Sequence, residues 1–358
     1  MTSTTPLFSA TSSSPRQILL LLRCLASTKK TLVRITPEGL RFSTDEGSTL
    51  ESYLVLSRNL FTTYTYHPPP PPSSQDDPPD PPMFEINLNA LLETLNIFSL
   101  SDPNTYNNKK GGDDAFASHR LGRHAGINAF ASRGTLGVTG LTTFSYDGPG
   151  SALSIHMSES GVTTTSDLTT YEAESAGGGE EIPFNRENLA LKTIMRASAL
   201  LDAVQELSSL SPGSLCISAS PTSSRPGGTG GGSANLSLSA AGALGEVKVD
   251  FSFSIAYTGD DTAVLETFQC ARRVSSHYRF GAVKAAQRAM GAAEKVSVRV
   301  DGEGVLSLQF LVEVEGGGSG GGNGGSGGGE GVAFVDFRVV PLVEGEVEEG
   351  EGVGSESD

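Results

Sequence analysis

Three basic residues near position 290 have the spacing of a phosphate-binding helix face. Lys284, Arg288 and Lys295 lie in the segment FGAVKAAQRAMGAAEK, residues 280–295. At 100° per residue they fall within about 40° of one another on a continuous helix. Cationic side chains on one face can bind nucleic-acid phosphates without reading the base sequence. The alternative is a solvated polar helix face that binds no ligand.

Further bases lie in or beside two other predicted helices. The first helix, near residue 15, carries two bases seven positions apart. The third, over 195–207, also carries Asp202 and Glu206, whereas the second, over 89–99, carries no base. The bases of the first and fourth helices should therefore dominate any phosphate contact. The candidate phosphate-facing residues are, in chain order, Arg16, Arg23, Lys192, Arg196, Lys284, Arg288 and Lys295.

The sequence lacks a recognisable catalytic or metal-binding motif. Cys24, Cys216 and Cys270 lie far apart, which indicates neither a disulfide framework nor a zinc site. Metal-dependent phosphodiester cleavage requires clustered carboxylates, but Asp301 and Glu303 form only a predicted turn pair. We therefore predict a non-catalytic protein that needs no metal ion and no cofactor.

Charge is strongly segregated along this chain of 358 residues and formal net charge −16. Residues 343–358 contain seven acidic residues and no basic one, which predicts a disordered acidic tail. Residues 16–41 contain six bases and one acid, so the acidic total does not exclude a basic surface. No apolar run reaches membrane-spanning length, and we expect a soluble protein that is not secreted.

Low-complexity segments interrupt an otherwise foldable chain. The glycine clusters lack the Gly-Lys-Ser/Thr sequence of phosphate-binding loops and are interpreted as long connections between strands. An acidic, glycine-rich stretch at 172–181 is the predicted connection between an N-terminal domain, 1–171, and a C-terminal domain, 182–342. The predicted insertions are a proline-rich segment at 67–82, a basic segment at 101–135, and glycine-rich loops at 221–233 and 316–331.

Without these insertions, the chain repeats a helix followed by several antiparallel strands, twice in each half. A helix of about ten residues cannot bury its own apolar stripe, so each helix must pack on a sheet. The pattern predicts an α+β fold of two similar domains, each with antiparallel sheets outside and two helices on the inner face. The bases would lie on the helix faces that the sheets leave free.

This arrangement resembles the sliding-clamp fold of PCNA. Several segments resemble those of the Rad-one family, whose members are subunits of the nine-one-one checkpoint clamp. The N-terminal segment LLRCLAST…TLVRITPEGLRFST also fits this family. The run VAFVDFRVVPL is expected near a sheet edge by its position only. The segments that carry the resemblance are FEINLNALLETLNIF at 84–98, LETFQC at 265–270, VSVRVDGEGVLSLQFLVEVE at 296–315 and VAFVDFRVVPL at 332–342.

The resemblance implies one subunit of a heterotrimeric ring that encircles double-stranded DNA at damage sites in the nucleus and signals to the checkpoint. The implied partners are two other clamp subunits, a clamp loader, and checkpoint or repair proteins, with no membrane. The helices of such a ring line its bore, so the seven bases named above would meet DNA phosphates.

Three alternatives remain open at this stage. Members of the resembling family have been described as exonucleases, so a 3′-5′ DNA exonuclease is one. A homotrimeric replication clamp of the PCNA type has the same fold and is the second. The third is a scaffold that does not contact DNA, in which the basic stripes are only solvated. The basic insertion at 101–135 is either a loop or a further contact with DNA or a partner.

Overall fold

The structure is a computed structural model, and it describes nine stretches of the chain. These are residues 5–25, 28–68, 81–97, 140–159, 161–173, 181–221, 234–253, 263–315 and 330–343. The predicted basic insertion lies entirely outside the described residues, as do most of the other predicted insertions, the centre of the 172–181 connection and the tail after Val343. Within the described stretches, no helix is long and apolar enough to cross a membrane.

The chain divides into two compact units. Unit 1 contains residues 1–45, 52–181 and 311–335, and unit 2 contains residues 46–51, 182–310 and 336–358. The split puts residues 181 and 182 in different units, and residues from the end of the chain contribute to both.

The described residues of unit 1 form antiparallel strands, two helices and a 3-10 turn. A five-stranded sheet has the order β5-β1-β7-β8-β9, and a second sheet in this unit follows the order β17-β18-β4-β3-β2-β6. Its elements are β1 (Phe8–Ser12), α1 (Pro15–Leu22), β2 (Lys30–Thr36), β3 (Gly39–Glu46), β4 (Leu50–Ser57), a 3-10 turn (Arg58–Leu60), β5 (Thr63–Tyr66), β6 (Met83–Asn87), α2 (Leu88–Asn96), β7 (Leu141–Tyr146), β8 (Leu153–Glu159) and β9 (Val162–Leu168), with parts of β17 (Leu306–Glu315) and β18 (Glu330–Val339).

The described residues of unit 2 likewise form antiparallel strands and helices, here three of them. A four-stranded sheet has the order β13-β12-β11-β15, and a second sheet in this unit follows the order β14-β10-β16-β17-β18-β4. Its elements are β10 (Leu189–Arg196), α3 (Ala197–Ser208), β11 (Ser214–Ser220), β12 (Ala234–Gly242), β13 (Gly245–Phe253), β14 (Leu265–Cys270), β15 (Val274–Arg279), α4 (Phe280–Ala285), α5 (Gln287–Ala292) and β16 (Lys295–Asp301).

The helices form where the sequence pattern places an apolar stripe. Pro15 occupies the first turn of α1, where its missing N–H costs nothing. The Asn87 side chain caps α2 by accepting a hydrogen bond from the Ala90 backbone N–H at 3.1 Å. In unit 1 α1 packs against α2, and in unit 2 α3 packs against α5. The predicted α+β architecture of antiparallel sheets and paired helices is therefore present in each unit.

The run VAFVDFRVVPL does not lie at a sheet edge, contrary to the expectation from its position. It forms β18, which lies between β17 and β4. Ala333, Val335 and Phe337 alternate with more exposed residues and are buried, because one face of this interior strand is covered. Its hydrophobicity therefore reflects a place in the core.

Close backbone packing at Gly39 gives a prediction for stability. A Cβ at Gly39 would collide with the Leu56 carbonyl oxygen of β4, whereas a Cβ at Gly213 would meet no atom within 4 Å. We expect Gly39→Ala to lower the free energy of unfolding by about 1–3 kcal/mol, because the backbone must shift to relieve the overlap. Chemical denaturation of Gly39→Ala and of the control Gly213→Ala checks this. Equal stability of the two variants would contradict the close approach.

Candidate nucleic-acid interface

The segment 280–295 is not the single helix that the sequence predicted. Ala286, with φ −79° and ψ 1°, separates α4 from α5. Lys295 lies beyond both helices, as the first residue of β16. The shared stripe of three bases was therefore wrong, because it required one continuous helix. Ala286 and Ala289 are fully buried, so the bend occurs where small side chains enter the core.

Two bases remain exposed on this pair of short helices. The Lys284 Nζ donates a hydrogen bond to the Ser208 Oγ at 2.9 Å, at the C-terminal end of α3. A cation is favoured there because helix carbonyls concentrate negative potential at that end. The Arg288 side chain is exposed and forms no hydrogen bond or ion pair with any other described residue. Arg288 is thus the base of this set whose charge is most available to a ligand.

Arg279 was missed by the sequence analysis. It is exposed, ends β15 and occupies the N-cap position of α4, five residues before Lys284. The only signal in the sequence was its position directly before the apolar residue Phe280 at the start of the predicted helix. Arg279, Lys284 and Arg288 are therefore the exposed bases along the described segment 279–292.

The first helix contributes less positive charge than predicted. Arg16 is exposed on α1, but Arg23 is half-buried and follows the helix as its C-cap. The Arg23 Nη2 donates a hydrogen bond to the Asn96 Oδ1 at 3.1 Å, which joins the ends of α1 and α2. Arg23 thus has a structural contact besides its predicted role.

Lys192 and Lys295 lie in strands, not in helices, and Arg196 is the last residue of β10. On β10 the half-buried Lys192 and Arg196 alternate with Thr193 and Met195, which are fully buried. Since α3 packs against β10 and β16, the buried positions point toward the helix. Lys192, Arg196 and Lys295 therefore belong to the opposite face of the sheet. The prediction that Lys192, Arg196 and Lys295 lie on or directly beside the helix faces was therefore wrong, because Lys192 and Arg196 belong to β10 and Lys295 begins β16.

Acidic residues accompany the bases on the helix faces, as the sequence indicated. Glu93 is exposed on α2, and Asp202 and Glu206 are exposed on α3. The exposed bases among the predicted residues are therefore confined to Lys284 and Arg288 on α4 and α5 in unit 2 and to Arg16 in unit 1.

The turn carboxylate Asp301 has a structural explanation. Its side chain is buried, its Oδ1 accepts hydrogen bonds from the Glu303 and Val305 N–H groups at 3.0 and 2.9 Å, and its Oδ2 accepts one from the Asn185 N–H at 3.1 Å. Glu303 is exposed, so the two carboxylates do not converge. In the stretches that the structure describes, no group of three or more His, Cys, Asp or Glu side chains can hold a metal ion.

A half-buried ion pair lies elsewhere in unit 2. The Arg299 Nη2 lies 3.8 Å from the Asp336 Oδ2, and Ser307 joins the two side chains by hydrogen bonds of 2.9 Å. Burial raises the pKa of Asp336, and Arg299 opposes that shift. Burial likewise lowers the pKa of Arg299. The guanidinium stacks over the Phe184 ring at 5.4 Å, so this pair fixes the start of unit 2 over its sheet.

Comparison with known proteins identifies the family. Residues 7–312 match the family model described as "Repair protein Rad1/Rec1/Rad17". The chain belongs to this family. Among its relatives is the DNA damage checkpoint control protein rad1 of Schizosaccharomyces pombe, 26% identical over 340 residues, which cover 94% of this chain and 87% of that protein. The cell cycle checkpoint protein RAD1 of Mus musculus is 28% identical over 191 residues, 53% of this chain and 61% of the mouse protein.

The fold of this member of the Rad1/Rec1/Rad17 family is that of a sliding clamp. The crystal structure of Proliferating Cellular Nuclear Antigen from Entamoeba histolytica superposes with a TM-score of 0.59 and covers 95% of this chain and 100% of that chain. At 13% identity this likeness concerns the fold only. The predicted family and the predicted PCNA-like fold are both confirmed.

Proposed function

We propose that this chain is a non-catalytic subunit of a heterotrimeric DNA sliding clamp that acts in the nucleus in the DNA-damage checkpoint and in repair. The observation that carries the proposal is the family match over residues 7–312 in a chain with a clamp fold. The relatives named as checkpoint proteins support the biological setting. The implied partners are two other clamp subunits, double-stranded DNA, a clamp loader, and checkpoint or repair proteins.

DNA contact is proposed through the helix faces, with Arg16, Lys284 and Arg288 as the predicted residues best supported by exposure. Arg279 joins them because it is exposed beside α4. Cations that bind phosphates hold the duplex without selecting a sequence, which suits a protein that moves along DNA. The mixture of acids and bases on these helices favours weak, transient contact over tight binding.

Assembly is proposed through the open edge strands β9 in unit 1 and β13 in unit 2. Two other edge strands, β6 and β15, are partly covered: Tyr171 bridges to Glu85 of β6, and the Leu342 N–H donates to the His277 carbonyl of β15 at 2.7 Å. β9 and β13 have seven and nine residues and end their sheets. Unpaired N–H and C=O groups along such strands are suited to pairing with another subunit.

Light scattering of the purified chain tests the proposed assembly. We expect a monomer in isolation and a stoichiometric three-subunit species when both candidate partner subunits are added. A stable trimer of this chain by itself would favour the homotrimeric replication clamp. A monomer that ignores both partners would contradict the heterotrimer.

Catalysis is tested separately, since the exonuclease alternative makes a different prediction. We expect the purified chain to leave 3′-ended DNA intact in the presence of magnesium ions. Release of nucleotides that copurifies with the chain, and that survives a second chromatographic step, would overturn the non-catalytic assignment.

A further inference from the structure

In unit 2, two basic residues of β10 each lie directly opposite a basic residue of the neighbouring strand β16. Lys192 lies opposite Arg299, and Arg196 lies opposite Lys295. We call these four residues the cation ladder. They share one face of the sheet, the face away from α3, because they alternate with the buried residues of both strands. Like charges directly opposite each other destabilise an antiparallel pair, so an anion beside the ladder would stabilise it.

The fold compensates only part of the ladder. The Lys295 Nζ forms an ion pair with the Glu266 Oε1 at 3.0 Å, and Arg299 is paired with Asp336. Lys192 and Arg196 form no ion pair or side-chain hydrogen bond within the part of the chain that the structure describes. Both residues are half-buried, where the screening of charge by water is weaker than on an open surface. Two cations on β10 are thus left for an external anionic group.

The spacing of these two cations suits an extended acidic segment. Lys192 and Arg196 are four residues apart in one strand, which corresponds to about 13 Å. An extended segment with acids at alternate positions presents its carboxylates on one side, about 6.6 Å apart. The tail has this pattern, since Glu344, Glu346 and Glu348 alternate with other residues. Glu344 and Glu348 would then match the Lys192–Arg196 separation.

We propose that the cation ladder binds the acidic tail of this same chain, residues 344–358. The described chain ends at Val343 in unit 2, the unit that contains the ladder. Just before this end, Pro341 lies beside Gly304, in the turn that follows β16. Fifteen tail residues can span up to about 50 Å, so the tail reaches the ladder from there. Attachment to the same chain also raises the effective concentration of the tail to about the millimolar range.

The tail is favoured over DNA as the occupant for a geometric reason. The choice of the tail over DNA rests on the proposed function, in which the duplex contacts the helix faces. The ladder lies on the other face of the sheet. The tail then covers a basic surface that would otherwise attract nucleic acid or acidic proteins non-specifically. The ladder and the tail together form an intramolecular contact that salt should weaken.

Zero-length carbodiimide cross-linking of the full chain, followed by mass spectrometry, tests the contact. We expect the tail glutamates to be joined to Lys192 and Lys295 in preference to the exposed lysine Lys29, because only the ladder holds the tail. At about 0.5 M NaCl, where screening acts within a few ångströms, these products should be lost. Tail products at Lys29 as frequent as those at Lys192, or unchanged at high salt, would overturn the proposal.

A binding measurement tests Arg196 as well as Lys192. The full chain with a neutralised tail should bind a synthetic peptide of residues 343–358, and Lys192→Glu with Arg196→Glu should weaken that binding at least about fivefold. The control pair Lys29→Glu and Arg58→Glu removes exposed bases elsewhere and should leave it unchanged. The neutralised tail carries Glu344→Gln, Glu346→Gln, Glu348→Gln, Glu349→Gln, Glu351→Gln, Glu356→Gln and Asp358→Asn.

Equal affinity of the ladder variant and the control variant would contradict the proposed site. Neither measurement contains DNA or another clamp subunit. A failure here therefore leaves the proposed clamp function intact, and a failure of ring assembly leaves the tail contact intact.

Discussion

Charge reversal at Lys284 and Arg288 is expected to reduce retention of the assembled clamp on a closed DNA circle by roughly thirtyfold at physiological salt. These two bases are exposed on α4 and α5, and Arg288 has no ion-pair partner among the described residues. Each phosphate contact releases about one counterion from the DNA. Losing a contact therefore weakens binding and also makes binding less dependent on salt. Retention of Lys284→Glu with Arg288→Glu over a salt series measures both quantities.

The matched control for this prediction lies on the opposite face of a sheet in the same unit. Lys192→Glu with Arg196→Glu makes the same change in net charge away from α3. We expect this variant to assemble and to remain on the circle with a salt dependence close to that of the parent. Retention that falls equally in both variants would mean that net charge, and not the helix face, controls binding. Unchanged retention of the helix variant would exclude α4 and α5 from the DNA contact.

Replacement of Asp301 with alanine is expected to lower the free energy of unfolding by about 3–5 kcal/mol. The buried carboxylate accepts hydrogen bonds from the N–H groups of Asn185, Glu303 and Val305. Each donor that loses its acceptor in a buried place costs about 1–3 kcal/mol, and partial entry of water offsets some of that loss. Urea denaturation of the parent and of Asp301→Ala gives the difference.

Glu303→Ala is the control, because its side chain is exposed in the same turn. We expect it to change stability by no more than about 0.5 kcal/mol. The comparison also bears on the exonuclease alternative. A large loss of stability for Asp301→Ala and none for Glu303→Ala is the result expected of a structural carboxylate, and not of two carboxylates that act as a catalytic pair. A loss below about 1 kcal/mol for Asp301→Ala would show that the three hydrogen bonds contribute little.

The sequence was sufficient for the elements and their class, because hydrophobic periodicity is dictated by local geometry. Leu88, Leu91 and Leu95 are buried on α2, and Val296 and Val298 are buried on β16 in strict alternation. The family resemblance depended on such segments and was confirmed. The alternation of side chains along a strand would also have placed Lys192 and Met195 on opposite faces. It was not used, because the predicted helix began at residue 195 and the helix in the structure begins at Ala197.

Other features depend on contacts that sequence patterns do not encode. The bend at Ala286 has no proline or glycine at or next to it, and it lies where the buried Ala286 and Ala289 accompany the packing of α5 against α3. The contact between Arg23 and Asn96 joins residues 73 positions apart, and Asp301 contacts Asn185 over 116 positions. The DNA-facing role of Arg16, Arg23, Lys284 and Arg288 stays a prediction, and exposure favours Arg16, Lys284 and Arg288, whereas Lys192, Arg196 and Lys295 lie on the opposite face of the sheet.

The break at Ala286 has a consequence for motion along DNA under the proposed function. Charges on one rigid helix keep a fixed repeat, which can come into register with the regular array of phosphates and hold the duplex at preferred positions. Lys284 and Arg288 lie on separate short helices, so their spacing follows no helical repeat. As the duplex advances, this segment then presents no regular row of cations to the phosphates. Under the proposed function, the bend therefore removes a regular row of cations that could hold the duplex at preferred positions.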